Sequence, residues 1–131
     1  MKEKKSTVYG IRCKTTGRIY IGCTSEVNQR IATHFKELHR KQKLTTVYVN
    51  GHTERVPSLF QKEYDEYGES DFDVYIIEQD VDKSKRSERE DFWMDYYKST
   101  NPKYGYNRYA SVRKDAAFRA YIYETPPRIN E

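Results

Sequence analysis

The first part of the chain contains two short runs with the composition and alternation of β-strands. Residues 7–13 and 18–22 are rich in β-branched and aromatic side chains, and a segment ending in a turn glycine separates them. This pattern predicts an antiparallel hairpin with a four-residue loop. With that loop Ile11 pairs with Tyr20, so Tyr9 and Tyr20 become diagonal neighbours on one face of the hairpin.

Apolar residues recur at helical spacing directly after this hairpin. The positions that share the predicted helical face are Val27, Ile31, Phe35 and Leu38. They predict a helix of about four turns, with Thr24 and Ser25 as N-cap residues. Arg30 and His34 are one turn apart and lie on the flank of the apolar stripe, because each residue advances a helix by about 100°. A cation and an imidazole at that rim are held in place and still reach solvent.

Further along, strand patterns and helix patterns alternate. Asn50-Gly51 lies between two β-rich runs and predicts a second hairpin with a type I′ turn. We expect Pro57 to open a second helix that Gly68 closes. Residues 72–78 have the pattern of a third core strand, and residues 82–99 that of a third helix.

The third helix begins highly charged and ends apolar. Glu90 lies where the two parts meet, on the same side of the helix as Met94 and Tyr97. Asn101-Pro102 ends the helix, and residues 104–107 form a turn back towards the body of the protein. Together the elements predict an α+β protein with a small antiparallel sheet of about three strands, flanked by helices.

Several classes of protein are excluded by composition. The longest apolar stretch, residues 74–77, is far below the roughly 20 residues that a bilayer span needs, so we expect no membrane association. The first residues lack the apolar segment of a signal peptide. Only Cys13 and Cys23 are present, which excludes a disulfide scaffold and fits no zinc template. These features favour a reducing, cytoplasmic location.

The net charge of +4 conceals a segregation along the chain. Residues 1–56 hold 12 Lys and Arg against 4 acids, residues 57–97 hold 5 against 13, and residues 98–131 hold 7 against 3. Basic ends around an acidic middle would attract a polyanion through counterion release, and the acidic part would suit a divalent cation. A solvated surface that binds nothing has the same composition, so charge alone decides little.

The most specific features are short motifs in a fixed order. They are the tripeptides Thr7-Val8-Tyr9 and Tyr20-Ile21-Gly22 with ten residues between them, then Arg30 and His34, the charged residues 88–93, and Gly105-Tyr106-Asn107. In this order and spacing they resemble the GIY-YIG nuclease family, and most of all the catalytic domains of phage intron-encoded homing endonucleases. The first tripeptide departs from the family's Gly-Ile-Tyr at Thr7, and the tyrosine, its chemical member, is retained.

The resemblance implies a GIY-YIG nuclease fold over residues 1–107, with a basic inserted hairpin at about residues 39–56, followed by a basic C-terminal extension at 108–131. It also implies hydrolysis of DNA phosphodiester bonds with one Mg²⁺ or Mn²⁺ per active site. The implied catalytic residues are Tyr9, Tyr20, Arg30, His34, Glu90 and Asn107. The segment after His34 is longer than in the homing enzymes, so the family's further histidine would be either His39 or His52.

Each implied residue type has a physical task. A tyrosine accepts the proton of the attacking water only where neighbouring groups stabilise its phenolate, which fits Tyr9, our favoured base, clustered with Tyr20, Arg30 and His34. Arg30 would neutralise charge on the phosphate, and His34 would orient the nucleophile or a tyrosine. Glu90 would hold the metal ion together with waters and the scissile phosphate, and that ion would stabilise the leaving oxygen.

DNA contacts are expected from two basic segments, which either read sequence or contact phosphates without preference. The first contains Arg40, Lys41, Lys43 and Arg55, and the second contains Arg108, Arg113, Lys114 and Arg119. There is no Cys/His cluster for a zinc finger, and 24 residues follow Asn107, so we expect no separate specificity domain. The expectation is a small stand-alone nuclease of phage or mobile-element type, with a homodimer as the form that would cut both strands.

Two other functions share these features. One is a noncatalytic DNA- or partner-binding module on the same fold, and the other is a structure-specific repair nuclease. Taken singly, each motif also has a plain structural explanation: the tyrosines as strand residues, Arg30 and His34 as a solvated pair, Glu90 as a surface acid and Asn107 as a turn cap. Their joint occurrence favours the nuclease.

Overall fold

The computed structural model describes residues 4–107 of the 131-residue chain. In chain order its elements are β1 (Ser6–Cys13), β2 (Ile19–Thr24), α1 (Val27–His39), β3 (Leu44–Val49), β4 (His52–Pro57), α2 (Leu59–Tyr67), β5 (Phe72–Val81) and α3 (Arg86–Tyr97). The predicted α+β class, with a small antiparallel sheet flanked by helices, is confirmed. The predicted basic extension, residues 108–131, lies outside the described residues.

Strand β1 is the middle strand of a three-stranded antiparallel sheet with the order β2-β1-β5. Ile11 pairs with Tyr20 as predicted, and Tyr9 pairs with Gly22 of β2. Because β1 is central, its side chains are buried on both faces of the sheet. Val8 on one face is 0% exposed and Tyr9 on the other is 2% exposed.

Helices cover both faces of this sheet. Helix α3 packs on the face that carries Val8, where the buried cluster also includes Ile19, Ile21, Met94 and Tyr97. Helices α1 and α2 cover the opposite face, where Tyr9 packs with Leu38 of α1 and Phe60 of α2. Because side chains alternate along a strand, Tyr9 and Tyr20 both point to the side of α1 and α2.

Strands β3 and β4 form a separate two-stranded hairpin. Its turn residues, Asn50 and Gly51, have φ values of 50° and 85°, and a type I′ turn requires positive φ at both positions. The predicted hairpin is therefore confirmed. Most of its side chains are exposed, and Tyr48 is 75% exposed.

The first two helices begin at other residues than the pattern predicted. Glu26, rather than Thr24 or Ser25, is the N-cap residue of α1, and the Thr24 hydroxyl instead accepts a hydrogen bond from the Glu26 N–H at 3.1 Å. Pro57 ends β4 instead of opening α2, because it still pairs with β3. Ser58 takes the N-cap position, where its hydroxyl accepts a hydrogen bond from the third residue of the helix.

Helix α3 is shorter than predicted, and strand β5 is longer. The strand continues to Val81, and residues 83–85 form a single 3₁₀ turn before the regular helix begins at Arg86. The helix ends at Tyr97 because Lys98 adopts the left-handed conformation, with φ of 56°. None of the helices within residues 4–107 is both long and apolar enough to cross a membrane.

Candidate active site

Three aromatic side chains meet where α1 packs on the β1–β2 hairpin. The hydroxyl oxygen of Tyr9 lies 2.7 Å from Nε2 of His34, and both residues are buried. The ring centre of Tyr20 is 4.8 Å from that of His34, edge-on, and 6.3 Å from that of Tyr9. The predicted pair of tyrosines therefore shares one face of the hairpin, and α1 adds His34 to it.

Gly22 makes room for the Tyr9 side chain. The two residues pair across β1 and β2, and an added Cβ atom on Gly22 would lie 2.4 Å from the Tyr9 hydroxyl oxygen. That distance is far shorter than a van der Waals contact, so a larger residue would displace the tyrosine. The glycine of the second tripeptide thus accommodates the tyrosine of the first.

The other ring nitrogen of His34 contacts Lys43, a residue for which we predicted contacts with DNA. The Nζ atom of Lys43 lies 2.7 Å from Nδ1 of His34 and 2.9 Å from a carboxylate oxygen of Glu37. Burial, and after it the charge of Lys43, lowers the pKa of His34 to about 4. His34 is therefore a neutral imidazole at neutral pH, with one ring nitrogen as donor and the other as acceptor.

Burial keeps both tyrosines in the hydroxyl form. It raises the pKa of Tyr9 and of Tyr20 above the ordinary value, and the charges of Tyr20 on Tyr9 and of Glu90 on Tyr20 act in the same direction. Arg30, exposed on α1, favours the phenolate of each tyrosine and so lowers both pKa values. Ionisation of either tyrosine therefore requires additional positive charge at the site.

The outer edge of β2 organises the other side of the site. Alternate residues of this edge strand direct their backbone groups away from β1 and need other partners. The N–H of Ile19 donates to the carbonyl of Tyr104 at 3.2 Å, and its own carbonyl accepts from the N–H of Tyr106 at 3.0 Å. The segment after α3 thus lies along the edge of β2, as the predicted turn back to the body requires.

Side chains continue this pairing along β2. The amide of Asn107 forms two hydrogen bonds with Ile21: Oδ1 accepts from its N–H at 2.8 Å, and Nδ2 donates to its carbonyl at 2.9 Å. The backbone of Cys23 favours the ionised carboxylate of Glu90 and so lowers its pKa, and Arg86 donates to the Cys23 carbonyl at 3.3 Å. Because β2 is an edge strand, a carboxylate from α3 reaches the tyrosine side of the sheet there.

An open cleft of about 370 Å³ lies at this edge, and its lining includes Tyr20, Lys43, Glu90 and Asn107. Burial and then the charge of Asp91 raise the pKa of Glu90, whereas neighbouring donors and cations lower it. Within residues 4–107 no three His, Cys, Asp or Glu side chains gather into a metal-binding group. A single carboxylate suits Mg²⁺, which keeps several water ligands, better than it suits a metal that needs a full set of protein ligands.

A family model described as the GIY-YIG catalytic domain matches residues 5–107. The chain belongs to the GIY-YIG family. Two solved structures of the catalytic domain of the intron endonuclease I-TevI share its fold. A mutant form matches with a TM-score of 0.63 and 23% identity over 84% of this chain and 99% of that chain. A second structure, described as the catalytic domain of the homing endonuclease I-TevI, matches with a TM-score of 0.59 and 24% identity over 79% and 99%. No curated protein sequence matches significantly.

The chain therefore carries a GIY-YIG nuclease domain, and the structure brings most of its predicted site residues together. The aromatic cluster lies at one side of β2, with Glu90 and Asn107 at its edge, and Arg30 affects the pKa values of both tyrosines and of Glu90. Asn107 does not cap a turn with its side chain, because both of its amide atoms bind the backbone of Ile21. The catalytic role of each residue stays a prediction.

The two candidates for the family's further histidine, His39 and His52, lie outside the aromatic cluster. His39 is exposed at the end of α1. His52 lies in the hairpin and pairs with Glu54 at 3.1 Å. It is Lys43, in the loop between α1 and β3, that reaches His34.

The other predicted DNA contacts lie outside the cleft. Arg40 is exposed directly after α1, Lys41 forms an ion pair with Asp65 at 2.9 Å, and Arg55 donates to the Thr46 hydroxyl at 3.0 Å. The C-terminal candidates lie outside the described residues: Arg108, Arg113, Lys114 and Arg119.

Two buried polar residues of α2 support the GIY-YIG site and had no signal in the sequence. Gln61 is fully buried, and its side chain binds the Leu38 carbonyl at 2.8 Å and the N–H of Lys43 at 3.1 Å. Glu63, 6% exposed, accepts a hydrogen bond from the Tyr106 hydroxyl at 2.6 Å. The apolar positions of α2 predict only that its hydrophobic side chains pack on the sheet, and they carry no information on the partners of Gln61 and Glu63.

Proposed function

We propose that this domain is a divalent-metal-dependent endonuclease that hydrolyses phosphodiester bonds of DNA. The observation that carries the proposal is the cluster of Tyr9, Tyr20 and His34 beside a cleft that Glu90 also lines. Binding alone would not require a buried tyrosine hydroxyl hydrogen-bonded to a neutral histidine. An attacking water needs a base, and a phosphate needs neutralising charge; the arrangement supplies both.

The proposed base is Tyr9, coupled to Tyr20. The neighbouring Tyr9 hydroxyl favours the phenolate of Tyr20, and Tyr20 lines the cleft in which the substrate would lie. In the proposed reaction the positive charge at the site ionises one tyrosine of the pair, and its phenolate takes the proton of the attacking water. The water oxygen bonds to phosphorus as the bond from phosphorus to the leaving oxygen breaks. Arg30 would stabilise the phenolate and the charge on the phosphate oxygens, because it already favours the ionised form of both tyrosines.

Glu90 is the proposed ligand for one Mg²⁺ or Mn²⁺ ion. Glu90 lines the cleft, and the backbone of Cys23 favours its ionised carboxylate. When bound, such an ion supplies positive charge for the phosphate and for the leaving oxygen. Asn107 is the proposed support of this edge, and its second Nδ2 hydrogen is left to donate to a phosphate oxygen.

The test is a time course of cleavage of supercoiled plasmid with Mg²⁺, Mn²⁺ or EDTA. We expect conversion to nicked DNA with either metal and none with EDTA. Tyr9→Phe and Glu90→Gln should each reduce the rate by at least about 100-fold, the lower range of positioned proton transfer and charge stabilisation.

Matched variants control for the substitutions themselves. Tyr67→Phe removes a hydroxyl at the end of α2, and Glu88→Gln removes an exposed carboxylate one half-turn before Glu90. Both should cleave like the native protein. DNA retained in a gel shift without any metal-dependent cleavage would contradict the proposal and favour the noncatalytic binding module.

The same site predicts that one molecule cuts one strand. With Glu90 as the one proposed metal ligand within residues 4–107, double-strand cleavage would require a homodimer or two successive events. We expect nicked plasmid to accumulate first, and linear product to rise with the square of protein concentration if a dimer forms. Two independent nicks would instead produce linear DNA only after a lag, with a rate constant for the conversion of nicked to linear DNA that is proportional to protein concentration.

The type of nuclease follows from the products. We propose a homing-like or DNA-degrading enzyme of phage or mobile-element type; discrete fragments would indicate sequence preference and a smear would indicate degradation. Preferential cleavage of flaps or branched DNA would instead indicate a structure-specific repair nuclease. The two cysteines, buried Cys13 and half-buried Cys23, are both free thiols, which is consistent with the cytoplasmic location that we propose.

A further inference from the structure

The backbone of Lys43 is fixed at both of its polar groups. Its N–H donates to Oε1 of Gln61 at 3.1 Å, and its carbonyl accepts from the N–H of Ser58 at 2.9 Å. Gln61 is itself fully buried, and its Nε2 atom donates to the carbonyl of Leu38 at 2.8 Å. The end of α1 and the start of α2 therefore hold Lys43 in one place at the wall of the cleft.

The side chain of Lys43 is equally well defined. Its ammonium lies 2.7 Å from Nδ1 of His34 and 2.9 Å from the carboxylate of Glu37, and the side chain is 21% exposed. An ammonium paired with a carboxylate has only donor hydrogens and no lone pair. The contact with His34 is therefore possible only if Nδ1 is the acceptor.

We propose that Lys43 is a positioning residue that fixes the tautomer of His34, so that its ring hydrogen lies on Nε2 and is donated to the Tyr9 hydroxyl oxygen. In a neutral imidazole with Nδ1 as acceptor, the hydrogen lies on the other nitrogen. That nitrogen is 2.7 Å from the Tyr9 oxygen. The direction of this hydrogen bond is thus set by a residue that does not touch Tyr9.

This direction matters for the proposed reaction, on which the functional part of the inference rests. A hydrogen bond donated to the Tyr9 oxygen stabilises its phenolate, whereas the opposite tautomer would accept the tyrosine hydrogen and stabilise the neutral hydroxyl. Lys43 therefore favours the form of Tyr9 that can take a proton from water. The exposed histidines, His39 and His52, have no such neighbour within residues 4–107.

The tautomer is measured directly by ¹⁵N NMR of the histidine rings of the full chain at pH 7. The chain has three histidines, and His39→Gln and His52→Gln assign the signals. In the native protein we expect His34 to carry its hydrogen on Nε2 alone. Lys43→Met, which keeps the side-chain length and removes the donor, should produce a mixture of tautomers, and Lys43→Arg should restore the native form. Lys62→Met on α2 removes an exposed lysine and should change nothing.

Plasmid cleavage supplies the second measurement. Lys43→Met should lower kcat by about 10- to 100-fold with unchanged DNA affinity, and Lys43→Arg should recover most of the loss. The proposal is overturned if native His34 carries its hydrogen on Nδ1, a result that needs no variant. It is equally overturned if Lys43→Met leaves the tautomer unchanged and weakens only DNA affinity. A tautomer that depends on Lys43 in a protein that cleaves no DNA would support the positioning and contradict the proposed function.

Discussion

The side-chain amide of Asn107 forms two hydrogen bonds with the backbone of Ile21, the middle residue of the second tripeptide. It occupies the place that a neighbouring strand would take on the outer edge of β2. The closing motif is thus joined to the strand that carries Tyr20. We therefore expect this contact to stabilise the fold around the site in addition to any part it has in the chemistry.

Replacing that amide should be costly. Asn107→Leu leaves the N–H and the carbonyl of Ile21 without partners, so we expect a loss of about 1–3 kcal/mol in the free energy of unfolding. Urea denaturation measures it, and Asn28→Leu, at an exposed position of α1, is the control. A loss below about 0.5 kcal/mol, the range of ordinary surface substitutions, would show that water replaces the amide without cost.

The close approach of Gly22 to Tyr9 gives a second prediction. Gly22→Ala should destabilise the fold by about 1–3 kcal/mol, because the added methyl group displaces a buried aromatic ring. It should also abolish cleavage. A double-mutant cycle with Tyr9→Ala tests the cause, since the alanine at position 22 should cost much less once the ring is gone. If Gly22→Ala costs the same free energy of unfolding with and without the Tyr9 ring, that ring is not the source of the strain.

The buried histidine gives the fold a defined pH dependence. The pKa of His34 in the folded state, about 4, is below the ordinary value, so the unfolded state binds more protons between pH 6.5 and 4. The stability that this histidine contributes is present at pH 7 and falls with pH through that window, by about 3 kcal/mol. Unfolding curves at several pH values should show a shallower slope for His34→Gln than for the native protein or for His39→Gln. Identical slopes would contradict a depressed pKa.

The basic residues around the hairpin should act through phosphate contacts. Arg40→Gln and Arg55→Gln should each weaken DNA binding and reduce the slope of log affinity against log salt by about 0.9, the value for one phosphate contact on duplex DNA. Fluorescence anisotropy over a salt series measures both quantities. Lys62→Gln, on the exposed face of α2, should leave the slope unchanged. If neither arginine variant alters the slope, the DNA contacts lie on another surface.

The sequence predicted the elements better than their contacts. Alternation and spacing predicted the β1–β2 hairpin, its register at Ile11 and Tyr20, and the type I′ turn at Asn50-Gly51, because local chemistry determines these features. The prediction that Pro57 opens α2 was wrong. A proline before a helix signal is compatible both with the first turn of a helix and with the end of a strand, and pairing with β3 decided between them.

The site was predictable only as a set of motifs. The structure places Tyr20, Glu90 and Asn107 at β2, but nothing local in the sequence indicates that Lys43 turns inward to His34 instead of outward to DNA. That orientation depends on Gln61, which is fully buried and lies on another helix. Long-range polar contacts of this kind have no periodicity, and a pattern of apolar positions does not contain them.

The edge pairing of β2 also has a consequence for how the protein is made. A ribosome delivers Tyr9, Tyr20 and His34 early, whereas Glu90 is added far later and Asn107 later still. A nascent chain therefore exposes the aromatic cluster without the proposed metal ligand, and β2 stays unsupported until the segment at 104–107 has emerged. We therefore expect chains that end before residues 104–107 to have an incomplete cleft and to leave the nucleic acids near the ribosome uncut.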